Sequence, residues 1–211
     1  MKQSEIDREL RLLVKAQAKQ CGWNSVGGSA YWTLGPLFFQ LVPSVNAKQA
    51  SFACTVRFKW LELDRLLWRV LGMSSNEKEP FSLHANGAFV LTGQEILRCS
   101  TSGLCWRPGV LAEAVESAMR QARERANEVA SCIASIESYL DFVEREHAAF
   151  LQRHPGAVTN VWKEALLVAM QRGDLERAAE IARARIAAGD SGGFSSEGRT
   201  FFERAEALCR E

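Results

Sequence analysis

Between Ser51 and Trp60 the side chains alternate with a period of two. Phe52, Cys54, Val56, Phe58 and Trp60 fall on one side, and Ala53, Thr55, Arg57 and Lys59 on the other. Only an extended strand with one apolar and one polar face satisfies that pattern. It belongs to an antiparallel sheet covered on one side and wet on the other. The preceding run, Tyr31 to Val42, is aromatic and β-branched but broken at Gly35-Pro36, which predicts a strand starting at Leu37. A short connection across residues 43–48 makes the two strands a hairpin.

Around this hairpin the period changes. Ile6, Leu10, Leu13 and Val14 recur at helical spacing over residues 4–20, with Gly22 and Gly27-Gly28 marking the stop and a loop. Residues 63–71 predict a second, short helix ended by Gly72. Asn86-Gly87 between residues 81–85 and 88–91 predicts a second hairpin, with 95–99 extending its return strand past Gly93. The expected first domain, 1–108, is therefore an antiparallel sheet of about four strands covered by helices.

Beyond residue 108 the composition shifts. Five of the six tryptophans lie at or before Trp106, and Ala, Glu and Arg dominate afterwards. Apolar residues at steps of three and four predict one helix over 109–153, roughly 65 Å long at 1.5 Å per residue. Ala114, Ala118, Ala122, Ala126, Ala130 and Ala134 form a small-residue seam along it, suited to close helix–helix contact in this chain or in a homodimer. His154-Pro155-Gly156 ends that helix. Shorter helices follow at 158–172, 175–188 and 196–211, giving a helical region 109–211 and an α+β fold class.

The formal charge of +1 and the 24% charged residues give no field to attract a polyanion, so no nucleic-acid partner is expected. Charges interrupt the first twenty residues, and the longest apolar run, near 165–170, is far too short for a bilayer. A cytoplasmic chain with six reduced cysteines follows.

Motifs of chemistry are sparse. Glu144 and His147 form a Glu-x-x-His pair without the second pair that a carboxylate-bridged metal centre requires. Cys99 and Cys105 are too far apart for a zinc half-site, and no Cys-x-x-Cys occurs. Ser29 lacks the Gly-x-Ser-x-Gly elbow, and neither phosphate-cradling glycine motif is present. The expectation is no catalytic, cofactor-binding or metal residue. Arg57 and Lys59 on the wet strand face, with Trp106 and Arg107 in the loop between the halves, are the candidate partner contacts, because arginine and tryptophan dominate interface energies.

The first helix, Gly22-Trp23, the aromatic hairpin ending Phe58-Lys59-Trp60, Leu63-Asp64 and Leu67-Trp68 together resemble small bacterial domains of unknown function, some encoded beside secreted antibacterial toxins. That resemblance implies an immunity protein that binds and occludes a cognate toxin. Residues 165–179, with Gly173 and Asp174 at the bend, resemble a single tetratricopeptide-like helical hairpin. The expected function is non-enzymatic protein binding. A helical adaptor or scaffold built on the alanine seam, and an enzyme with an unrecognised site, are the alternatives.

Overall fold

The computed structural model describes residues 2–87, 89–104, 109–157 and 161–210. Helix α1 (Gln3–Cys21) starts where the Glu5 carboxylate accepts the Lys2 N–H at 2.8 Å, and it stops at Gly22 in the left-handed conformation. Two strands precede the one expected to start at Leu37: β1 (Asn24–Val26) and β2 (Ser29–Leu34) pair through Gly27-Gly28. Both glycines have positive φ (57° and 92°), which a two-residue type I′ hairpin turn requires. Gly35-Pro36 turns β2 into β3 (Leu37–Asn46), and β4 (Ser51–Trp60) follows. The sheet has five antiparallel strands in the order β1-β2-β3-β4-β5, with β5 at Gln94–Thr101.

The chain divides into two compact units. The first holds Met1–Lys59, Pro80–Ala88 and Thr92–Cys132; the second holds Trp60–Glu79, Phe89–Leu91 and Ile133–Glu211. The division expected at residue 108 does not coincide with this one, because helix α4 (Val110–Ser131) packs with α1 and the sheet.

In the first unit, α1 turns Ile6, Leu10, Val14 and Ala18 inward, and α4 turns Val115, Ala118, Met119, Ala122, Ala126 and Val129. Phe39, Phe52, Cys54, Val56 and Phe58 are buried, with Phe39 and Phe58 stacked at 5.9 Å. Arg123 of α4 lies 3.7 Å from the Trp32 ring centre, and Arg125 donates to the Ile96 carbonyl.

The single helix expected over 109–153 is two. Helix α4 ends at Ser131 and α5 runs from Ile136 to Arg153. The break is a new helix start. Ser135 Oγ accepts the Ser138 N–H at 3.3 Å, while Ser138 Oγ accepts the Ser135 N–H at 3.0 Å.

The Asn86-Gly87 hairpin does not form either. Residues Leu83–Asn86 make a single helical turn, α3, and Gly87 has an ordinary φ and donates to the Leu83 carbonyl. Two carbonyls that a β-ladder would have used are taken by side chains: Gln40 donates to Ala85 O and Lys59 to His84 O, both at 2.8 Å. The strand partner of β4 is instead β5. Gly93 just before it lies so close to Phe58 that an added Cβ would sit 2.6 Å from its carbonyl oxygen.

The second unit gathers α2 (Glu62–Val70), a 3-10 segment (Ser74–Lys78), α5, α6 (Trp162–Gln171), α7 (Leu175–Ala187) and α8 (Phe201–Leu208). Residues Ala165–Ala169 of α6 are all buried, so this helix is central; α2, α5 and α7 pack on it. The expected α6–α7 hairpin is present. Gly173 (φ 75°) donates to Met170 O and Asp174 to Ala169 O, while the Asp174 carboxylate accepts the Arg177 N–H. The last helix begins at residue 201 rather than 196. A two-stranded ribbon, β6 (Ser195–Ser196) and β7 (Arg199–Thr200), occupies the intervening residues. Among the described residues no helix is long and apolar enough to cross a membrane.

Candidate protein-binding surface

Helix α1 buries one face, so its remaining side chains define a surface. Ser4, Arg8, Arg11, Lys15 and Lys19 recur at three- and four-residue steps, and all are exposed. Beside them Leu12 is 61% exposed, the highest value among the large apolar side chains described. Two open grooves flank it. One, of about 330 Å³, runs between Arg11, Leu12, Lys15 and the β1–β2 turn at residues 25–28; the other, of about 400 Å³, is lined by Ser4, Asp7, Arg8, Arg11 and Leu12. The Arg11 aliphatic chain crosses the turn so closely that a Cβ on Gly28 would meet its Cγ at 3.0 Å.

Asp7 lines one groove together with Arg8 and Arg11, and Lys15 lines the other. Among the described residues no carboxylate pairs with Arg8, Arg11 or Lys15. Some arginines elsewhere are neutralised, as Arg69 is by Glu77 and Arg98 by Glu95. The hydrogen bond from Arg69 holds the Glu77 carboxyl below its usual range, and each pair raises its own guanidinium pKa.

The contacts expected from the sequence fare differently. Lys59 is not on a wet face: it is 3% exposed, with its ammonium 5.3 Å from the Phe38 ring centre and bonded to His84 O. Residues 81–87 cover that part of the sheet, and strand alternation carries no sign of a segment arriving from twenty-five residues away. Arg57 is half-buried and lies opposite Glu95 in the β4–β5 register. Trp106 and Arg107 lie outside the described residues. In the alanine seam, Ala118, Ala122 and Ala126 are buried within the first unit, Ala114 and Ala130 are half-buried, and Ala134 is exposed beyond the end of α4. Arg8, Arg11, Leu12 and Lys15 were visible in the sequence only as charges and a leucine on the outer side of an amphipathic helix.

Buried groups with chemical potential are held in structural contacts. Lys59→Ala is expected to cost about 2–3 kcal/mol in chemical denaturation, because the His84 carbonyl loses a buried donor. A change below about 0.5 kcal/mol, typical of a surface lysine, would return Lys59 to the wet face. In the second unit Asp64 is fully buried and its carboxylate accepts the Leu91 N–H at 2.8 Å. Burial and the neighbouring Glu164 carboxylate push the Tyr139 phenol well above its ordinary range. Among the described residues no three His, Cys, Asp or Glu side chains converge as a metal ion would require, and Glu144 is exposed.

Compared with known proteins, the chain matches no family model, no curated protein and no solved structure.

Proposed function

We propose that this chain is a non-enzymatic protein-binding protein that recognises an acidic partner through the outer face of α1 and the β1–β2 turn. One observation carries the reading: three exposed cations that have no carboxylate partner among the described residues surround Leu12, the most exposed leucine described, beside two open grooves. The finer reading is an immunity protein whose partner is a toxin, neutralised by occlusion. The resemblance of the first half to domains encoded beside antibacterial toxins supports it, and occlusion needs an adhesive surface rather than catalytic residues.

The test is co-expression with the products of neighbouring genes, followed by titration of the purified partner. The charge reversal Arg11→Glu with Lys15→Glu is expected to weaken binding at least about tenfold, and more steeply at low salt than at high salt. Binding of equal strength in that variant, or binding that ignores ionic strength, would contradict the assignment of the surface. Absence of any protein partner would remove the proposed function itself.

A further inference from the structure

Cys54 and Cys99 stand directly opposite each other in the antiparallel β4–β5 ladder, so their side chains leave the same face of the sheet. Residues so opposed have Cα atoms about 4.5–5.5 Å apart, within the span a disulfide bridges. The Cys99 thiol lies 3.9 Å from the Cys54 carbonyl oxygen. Cys54 is buried, whereas Cys99 is half-exposed on the outermost strand. Among the described residues no other two cysteines share a strand register.

We propose that Cys54 and Cys99 are an oxidation site that closes to a cross-strand disulfide when hydrogen peroxide reaches Cys99. Cys99 is the sulfur that meets the oxidant, since burial and its neighbour push the Cys54 thiol far up and keep it protonated. With hydrogen peroxide, the Cys99 thiolate takes one oxygen to become a sulfenic acid, and the peroxide's other oxygen leaves as hydroxide. Cys54 sulfur then attacks Cys99 sulfur, the S–O bond breaks, and the departing hydroxide carries away the Cys54 proton as water. Two thiols are oxidised and one peroxide is reduced to two waters. The bond ties the edge strand to its neighbour and closes the loop from residue 54 to residue 99.

The full reduced chain, treated with hydrogen peroxide and digested without reductant, should yield a peptide linking Cys54 to Cys99, lost on treatment with dithiothreitol. Its melting temperature should rise by about 5 °C on oxidation. In Cys54→Ser a dimedone adduct should accumulate on Cys99. If Cys99 is over-oxidised in the unsubstituted chain, or either thiol links elsewhere while the Cys54–Cys99 peptide is absent, the proposal is overturned. That mapping decides the matter even if the serine variant does not fold.

Discussion

Ala122→Glu is expected to destabilise the chain by more than about 4 kcal/mol, lowering the melting temperature by more than about 8 °C. Ala122 has no exposed surface, and it belongs to the inner face of α4, which packs on α1 and the sheet. A glutamate there would share the buried face of α4 with Met119 and Ala126, one turn away on either side. Three alanines of the seam, Ala118, Ala122 and Ala126, are thus buried within the first unit. Thermal melting and light scattering together separate the two accounts. Were Ala122→Glu to melt normally while halving the particle mass, the alanines would face a second copy instead.

The second large effect lies in the other unit, at the tryptophan that holds residues 89–91. Trp68→Ala is expected to cost about 3–5 kcal/mol, since a side chain only 1% exposed is removed and a cavity remains. The same change leaves the Phe89 carbonyl without the indole donor that reaches it at 2.6 Å. Asp64, one turn earlier on α2, accepts the Leu91 N–H, so two side chains four residues apart hold the backbone of Phe89 and Leu91. Asp64→Asn keeps an acceptor oxygen and should cost less than Asp64→Ala. Trp68→Phe should lose mainly the hydrogen bond, about 1–2 kcal/mol. Chemical denaturation of the four variants checks the ordering; equal losses for Trp68→Phe and Trp68→Ala would mean that packing contributes little.

Elements that declare themselves through period and punctuation were legible in the sequence. Helix α1, strands β3 and β4, helix α2 and the α6–α7 bend at Gly173-Asp174 all combine a clear repeat with a residue that stops it. Where the outcome depended on distant partners, local signals misled. Asn86-Gly87 has ideal turn chemistry, yet Lys59 and Gln40 capture the carbonyls around it and favour a helical turn. The break at residues 132–135 was hidden because Ala130, Ile133 and Ala134 keep the helical rhythm while Ser135 caps a new helix. For the candidate surface, sequence shows the charge on Arg8, Arg11 and Lys15 but not whether a carboxylate neutralises it. Arg57 and Lys59 look equivalent by alternation, and one of them is buried.

Hydrogen exchange on the full chain with and without its purified partner probes the surface most directly. Slowed exchange should be confined to α1 around residues 4–19 and to the β1–β2 turn at residues 25–28. Protection that spares both segments and falls on α5–α8 would contradict the assignment.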